Sequence, residues 1–344
     1  MKAILKAEGK PGFCLKDYPM PEIGRNEVLI KVHDTALCNS DVEVYHWTPL
    51  VAAANYQLPF VMGHEFAGEI LKVGEDIKGL KEGDRVAAET HIPCGHCEAC
   101  RNGHQHICGN HMGVLGRTVD GCFAEYIKLD QRAAIKLPDH ISYREGALFE
   151  PFATAVHAVA KAEPMGKKML ICGTGTIGQM AIEVAKLMGA TMVIANDISE
   201  EKLERSMQLG ADLAINGMTQ DLTREVMKAT DGNGVDTIID FTGNGRVINQ
   251  CVEACAIAGR IVHVGMVGKP LTYENFMYGV VYKELTITGI YGRELYTTWT
   301  QVTNLLNTGK IDLSKYVAKI MRLEDFDQAV SEFANYSGRI VFEL

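Results

Sequence analysis

The stretch from Lys168 to Asp197 constrains the rest of the chain more than any other. Lys168-Met169-Leu170-Ile171-Cys172 is an apolar run of strand length, and it leads directly into Gly173-Thr174-Gly175-Thr176-Ile177-Gly178. Ile177, Ala181, Val184 and Met188 then recur at helical spacing, and Gly189 stands where a helix C-terminal cap belongs. A second apolar run, Met192-Val193-Ile194-Ala195, ends at Asp197, nineteen residues beyond Gly178. Strand, glycine turn, helix, strand and terminal acid together make a dinucleotide-binding βαβ unit. Gly173 permits the tight turn, Gly175 lets a diphosphate approach the backbone, and Gly178 lets the helix pack closely on the strand. The diphosphate would lie on the helix N-terminus. Asp197 would accept hydrogen bonds from the adenosine ribose hydroxyls and repel a 2′-phosphate, which favours NAD over NADP.

Around this unit strands and helices alternate. Ser199 can cap a helix through Lys202 and Leu209, and further strands are read at Asp212–Ile215, Asp236–Phe241, Arg260–Gly265 and Leu285–Gly289. Strands separated by helices imply a parallel, doubly wound sheet. Residues 1 to about 135 differ: short β-like runs such as Glu27–Val32 and Phe66–Val73 alternate with turns, and a small barrel is the expected architecture. Helical character begins near Gly146, where Glu150-Pro151-Phe152 reads as the entry to a helix, with the acid just before it as a favourable N-terminal charge. Thr300 to Leu306 reads as an amphipathic stretch, and Gly338 to Phe342 as a strand.

A chain of 344 residues has room for about two domains. Its formal net charge of −9 argues against nucleic acid or an anionic membrane as partner. No apolar run is long enough to span a bilayer, and Lys6 and Glu8 interrupt the N-terminus before a signal-peptide core forms, so a cytoplasmic location is the default.

In that compartment, clustered thiols point to metal rather than to disulfides. Cys94, Cys97, Cys100 and Cys108 place four thiols within fifteen residues, a set that closes a tetrahedral zinc and makes it structural. His91, His96, His104, His106 and His111 lie nearby as substitute ligands, though the four cysteines have the cleaner spacing. Cys38, in Ala36-Leu37-Cys38-Asn39-Ser40-Asp41, and His64-Glu65 offer ligand types that zinc takes, but at long spacing. By themselves these read as a buried thiol and a satisfied histidine.

With those residues assembled, the whole chain resembles the zinc-dependent medium-chain alcohol dehydrogenase family. The zinc signature Gly63-His64-Glu65-x-x-Gly68-x5-Gly74-x-x-Ile77, the four-cysteine lobe and the dinucleotide turn all match. The resemblance implies an α/β protein: a GroES-like β-rich catalytic domain from residues 1–150 and 291–344, with a structural zinc lobe at 94–108, and an inserted Rossmann domain at 151–290. It implies two zinc ions per chain, the catalytic one held in the interdomain cleft by Cys38, His64 and either Glu65 or Glu150. That zinc would polarise a secondary alcohol so that hydride passes to NAD, with Ser40 carrying the proton away. Where relatives place histidine three residues after this hydroxyl the chain has Glu43, so Glu43, His46 or water completes the route. Cofactor contacts are implied at Thr176, Ile177, Lys202, Gly265, Ile290 and Tyr291 beside the three glycines and Asp197.

Thr90-His91-Ile92-Pro93-Cys94-Gly95-His96-Cys97 and Gly289-Ile290-Tyr291-Gly292-Arg293-Glu294 resemble the L-threonine 3-dehydrogenases of that family, which makes His91 the residue that reads the substrate. Phe149-Glu150-Pro151-Phe152 is shared with sorbitol-type enzymes, so a polyol or sugar-alcohol dehydrogenase is the alternative. A non-enzymatic zinc-ribbon module with a cofactor-sensing domain is a remote one. By family resemblance the chain forms a homotetramer, in which the sheet edge at Leu285–Gly289 pairs across a two-fold axis.

Overall fold

The structure, a computed structural model, describes residues 1–54, 56–110 and 113–344; His111 lies outside the described residues. It divides into a unit of Met1–Ala153 with Gly292–Leu344 and a unit of Thr154–Tyr291. Strands lead the chain: β1 (Lys2–Lys6), β2 (Cys14–Asp17), β3 (Glu27–Ala36), β4 (Phe60–Val61), β5 (Glu65–Val73), β6 (Arg85–Ala88), β7 (His91–Ile92), β8 (Gly113–Val114), β9 (Tyr126–Asp130) and β10 (Ala134–Lys136). Between them lie α1 (Asn39–His46), α2 (Pro49–Ala52) and α3 (Glu98–Arg101), followed by α4 (Tyr143–Gly146) and α5 (Phe149–Ala162). β3 outruns its expected length because Val28, Ile30 and Val32 alternate into the core and the buried run continues to Ala36. The C-terminal end of α1 is clamped by the buried Lys6, whose Nζ donates to the carbonyls of Lys10 (2.6 Å), Gly12 (3.1 Å) and Tyr45 (3.3 Å). Burial pulls that ammonium down to about 8.

The second unit runs β11 (Lys168–Cys172), α6 (Thr176–Leu187), β12 (Met192–Asp197), α7 (Glu200–Gln208), β13 (Leu213–Asn216), α8 (Leu222–Ala229), β14 (Val235–Asp240), α9 (Gly245–Ala254), β15 (Cys255–His263) and β16 (Thr286–Gly289). All pairings are parallel, in the order β13-β12-β11-β14-β15-β16. Leu170 of β11 stands between Ile194 of β12 and Ile238 of β14, so the strand order reverses there. Ser199, Asp221 and Asn244 cap α7, α8 and α9 through their side chains.

Three details depart from the sequence reading. α6 buries Met180, Ile182 and Ala185 as well as Ala181 and Val184, whereas Ile177 and Met188 are only half-buried; packing on a sheet covers more than one stripe. β15 begins at Cys255, five residues earlier than Arg260, and a register shift separates its two stretches of pairing with β14. The last crossover contains a π-helical turn, Phe276–Val281, in place of an α-helix.

The chain returns to the first unit through α10 (Thr297–Asn307), β17 (Val317–Arg322), α11 (Phe326–Glu332) and β18 (Arg339–Glu343). β18 inserts between β3 and β17, giving the order β10-β6-β5-β3-β18-β17, with β9 also on β3. Phe123, Phe326 and Phe342 meet at 5.2–5.7 Å between ring centroids, which locks the returning segment onto the N-terminal half. Among the described strands no pairing joins β10 to β17, so the expected small barrel is an open sheet in its hydrogen bonding, accompanied by the smaller sheet β2-β1-β4.

Candidate metal and cofactor sites

Cys38 is the N-cap residue of α1 and Glu65 opens β5, so two short backbone junctions bring Cys38, His64 and Glu65 together. A thiol sulfur, a ring nitrogen and a carboxylate oxygen from the three lie within 4.8 Å of one another. Gly63 sets up this junction at φ +90°, and a Cβ there would stand 2.4 Å from Phe123 Cδ1, so only glycine fits before His64. Asp41, in the first turn of α1, accepts the Cys38 N–H at 3.0 Å and lies 3.5 Å from His64 Nδ1. Arg339 of β18 donates to both oxygens of Glu65 at 2.9 and 2.8 Å and approaches Cys38 Sγ at 3.9 Å. Burial works against protonation of His64, yet Asp41 and Cys38 raise its pKa well above the ordinary value. Burial likewise raises Glu65, against the pull of Arg339.

Glu150 is not part of that trio. It is the second residue of α5, inside the first turn rather than before the helix as the sequence implied, and it is 8% exposed. Thr90 Oγ1 donates to it at 2.9 Å, and the Arg293 guanidinium donates to it and to Glu89. Glu89 is fully buried and accepts from the His91 N–H (3.0 Å), Arg293 Nε (3.1 Å) and Trp299 Nε1 (3.0 Å), with His91 Nδ1 at 2.9 Å. Although burial opposes it, Arg293 and His91 hold the Glu89 carboxyl far below the usual carboxylate range. His91 is therefore a buried side chain and not a surface histidine beside a loop.

The electrostatics of this region fit a cation. Four buried carboxyl groups (Asp41, Glu65, Glu89 and Glu150) face two guanidiniums, those of Arg293 and Arg339, and the His64 imidazole, whose affinity for a proton Asp41 raises. Such an excess of buried negative charge is costly, and a divalent metal on a sulfur, nitrogen and oxygen set offsets it.

In the lobe, Cys94, Cys97, Cys100 and Cys108 have their sulfurs within 4.8 Å of one another, with separations of 3.5 Å (Cys94–Cys108), 3.7 Å (Cys97–Cys108) and 3.9 Å (Cys94–Cys100). Tetrahedral thiolates at about 2.3 Å from zinc are roughly 3.8 Å apart, so the cradle has the right size. The N–H of Cys100 brings the Cys97 thiol down to about 6. Arg132 anchors the root of the lobe, donating to the Pro93 carbonyl at 2.8 Å and to Asp130. His96 contacts the Cys94 carbonyl through Nδ1 at 3.0 Å and belongs to no metal-sized cluster among the described residues.

The glycine turn between β11 and α6 has the shape a diphosphate needs. Gly173 adopts φ +85°, a Cβ on Gly178 would stand 2.1 Å from the Gly173 carbonyl oxygen, and no atom lies within 4 Å of where a Gly175 Cβ would be. Thr176 and Ile177 open α6, so their N–H groups belong to its N-terminus. Asp197 ends β12 and accepts the N–H groups of Thr174 (2.7 Å), Ile198 (2.8 Å) and Ser199 (3.1 Å), which fixes its carboxylate beside the turn. Lys202 lies in α7, half-buried. Gly265 follows β15, with its N–H on the Asp240 carbonyl at 3.0 Å; the Ile290 N–H bonds the His263 carbonyl at 3.0 Å, and Tyr291 is exposed.

Ser40 lies half-buried in the first turn of α1, and Glu43, one turn on, accepts from Thr48 Oγ1 at 3.0 Å. Sequence reasoning missed Glu89, and met Asp41, Arg293, Trp299 and Arg339 only as letters of longer segments, without a role. Arg339 carried a signal, a lone charge beside the apolar run Ile340-Val341-Phe342, since an ionised group there must find a buried partner.

Residues 24–139 match the family alcohol dehydrogenase GroES-like domain, and residues 176–308 match the family zinc-binding dehydrogenase. The chain is 35% identical over 342 residues to the L-threonine 3-dehydrogenase of Escherichia coli strain K12, covering 99% of both chains. Its fold is similar to galactitol-1-phosphate dehydrogenase from Escherichia coli, with a TM-score of 0.91 and 27% identity over 100% of both chains. It is also similar to an alcohol dehydrogenase from Escherichia coli CFT073 complexed with cofactor NADH, with a TM-score of 0.90 and 28% identity over 100% of this chain and 99% of the other.

Proposed function

Because the chain belongs to the zinc-dependent medium-chain alcohol dehydrogenases, we propose that it oxidises a secondary alcohol with NAD, L-threonine to 2-amino-3-oxobutanoate being the lead reaction. Family membership across both units leaves the zinc-ribbon reading without support. The observation that carries the substrate assignment is the buried His91, oriented by Glu89 in a network with Arg293 and Trp299. A pocket that hydrogen-bonds a small polar substrate discriminates by up to about 10⁴-fold, far beyond what an apolar pocket does for one methylene. The likeness to galactitol-1-phosphate dehydrogenase supports the second reading, a sugar-alcohol substrate.

Cys38 and His64, with Glu65 or Glu150, would hold the catalytic zinc, and Cys94, Cys97, Cys100 and Cys108 the structural one. Bound zinc and NAD supply Lewis acidity toward the substrate hydroxyl and a hydride acceptor. Asp41 orients His64 and caps the Cys38 backbone. Arg339 restrains Glu65 and Arg293 restrains Glu150, so each candidate carboxylate has its own guanidinium to return to. Ser40 takes the hydroxyl proton, and Glu43 and the exposed His46 on the same helix offer the way out, with water as the third route.

The test is kcat/KM for L-threonine against sorbitol, xylitol and 2,3-butanediol. L-Threonine is expected to lead, and His91→Ala to lower its value by about 10–150-fold, the worth of one hydrogen bond to a charged group. A polyol ahead by tenfold, or an unchanged value in His91→Ala, sinks the substrate assignment.

Cofactor choice rests on Asp197. Asp197→Ser should narrow the ratio of NAD to NADP in kcat/KM, since it removes both a ribose acceptor and a charge opposing the phosphate. A wild type that prefers NADP refutes this. The oligomer is assigned to the β16 edge, flanked by exposed Phe276, Met277, Tyr278, Val281 and Tyr282. Light scattering should give a tetramer, and Tyr278→Glu with Tyr282→Glu should lower the mass; a monomeric wild type at micromolar concentration rules it out.

A further inference from the structure

A dinucleotide on a sheet of this kind lies across the carboxyl ends of the strands where their order reverses, one mononucleotide on each side. Asp197 and the glycine turn serve the side built from β11, β12 and β13. On the other side, β14 ends at Asp240 and β15 at His263, neither of which has a role in the chemistry above. Asp240 is fully buried. Its Oδ1 accepts from the Thr242 N–H at 2.9 Å and from Thr242 Oγ1 at 2.5 Å. Its Oδ2 makes no hydrogen bond among the described residues and faces His263 Nδ1 at 3.5 Å. His263 Nε2 in turn lies 3.0 Å from the Tyr273 hydroxyl. An ionised carboxylate can only accept, so Asp240 favours the His263 tautomer with its proton on Nδ1, which leaves Nε2 to accept from the Tyr273 hydroxyl.

The three side chains come from three segments that are otherwise tied down. The segment of Tyr273 is pinned to α9, where Asn249 Nδ2 donates to the Thr272 carbonyl at 2.9 Å and Asn249 Oδ1 accepts the Glu274 N–H at 2.9 Å. Asp240 folds the turn after β14, in which Thr242 Oγ1 also accepts the Asn244 N–H at 3.1 Å. That turn abuts both neighbours: a Cβ on Gly173 would stand 3.0 Å from Thr242 Cγ2, and one on Gly265 would stand 2.3 Å from the Gly243 nitrogen. Displacing Asp240 therefore displaces the turns that border the crevice.

We propose that the buried Asp240 and the half-buried His263 and Tyr273 form a relay that positions the half of the cofactor crevice taking the second mononucleotide. They are positioning residues, and the inference rests on the NAD reading above. It separates the two halves of the cofactor in a way that general destabilisation does not, because AMP occupies only the Asp197 side.

The experiment is binding of NADH, by fluorescence titration, and of AMP, by calorimetry, to full-length wild type, Tyr273→Phe, His263→Ala and His263→Asn. Tyr273→Phe, which removes one hydrogen bond, should weaken NADH by about 3–10-fold. His263→Ala, which removes both the hydrogen bond to Tyr273 and the ring that faces Asp240 Oδ2, should weaken it by about 10-fold or more, and His263→Asn should recover part of the loss. AMP affinity should stay within about twofold throughout, given independent halves. NADH affinities within twofold of wild type in both Tyr273→Phe and His263→Ala overturn the relay, and so does an equal weakening of AMP and NADH. A wild type that fails to bind NADH instead overturns the cofactor reading on which the relay depends.

Discussion

Replacing Arg293 by methionine should lower the melting temperature by about 6–20 °C and with it most of the turnover. The guanidinium is 2% exposed and lies between two buried carboxylates, Glu89 and Glu150, so its removal leaves both without their cation. Breaking a buried pair in this way costs about 3–5 kcal/mol, and in a unit of this size each kcal/mol is worth about 2–4 °C. The pH dependence gives the sign. In the wild type Arg293 helps to hold Glu89 below the usual carboxylate range, so the stability it contributes is present above that range and is lost only as pH falls through the depressed value. In Arg293→Met, burial outweighs the remaining donors, His91 and Trp299, and raises the carboxyl instead, so the folded protein binds a proton that the unfolded chain does not. The variant should accordingly be less destabilised at pH 5 than at pH 8. Adding Glu89→Gln should return part of the loss, giving a non-additive double-mutant cycle. Calorimetry with a shift under 2 °C, or a deficit that grows in acid, would dismiss the network as a cornerstone of the first unit.

The second large effect concerns the metals. Elemental analysis should find two zinc ions per chain, and the two should leave under different conditions. On the proposed assignment four thiolates would close the lobe, whereas Cys38, His64 and one carboxylate would leave a coordination position open for substrate. Mild chelation should therefore stop turnover before it changes the circular dichroism. Cys38→Ala should keep one zinc and the fold while losing about 10³-fold in kcat, as expected when several kcal/mol of Lewis-acid stabilisation disappear. Cys97→Ala should lose the other zinc and melt earlier. A single zinc in the wild type, or fold and activity lost together, would count against two separate sites.

What could be read from the sequence was whatever chemistry is local. The glycine turn is a backbone requirement with a fixed spacing, and the four thiols of the lobe fall within fifteen residues, so neither depends on knowing what lies across the fold. What escaped were the partners, because they are remote. Arg339 reaches Glu65 across 274 residues, and Trp299 reaches Glu89 across 210. Glu150 shows the difference within one residue: the sequence permits a favourable helix N-terminal charge, while the fold supplies Thr90 and Arg293 as its actual neighbours. Helix α1 escaped because eight mostly polar residues show no apolar stripe, although it presents Cys38, Ser40 and Asp41 together. The π-helical turn before β16 had no signal in a reading based on α-helical spacing.

The insertion of β18 between β3 and β17 has a consequence for how the protein is made. Arg339 leaves the ribosome 274 residues after Glu65, which at about 5–20 residues per second is roughly 14–55 s of synthesis. Throughout that interval only the Asp34–Ala36 end of β3 lacks its neighbour, since β9 already pairs with Glu27–Lys31, and the nascent chain carries a short unsatisfied strand edge ending next to Cys38. A zinc ion arriving early would meet Cys38 and His64 without the guanidinium that restrains Glu65. On the zinc assignment proposed above, the complete site would exist only once β18 has been made.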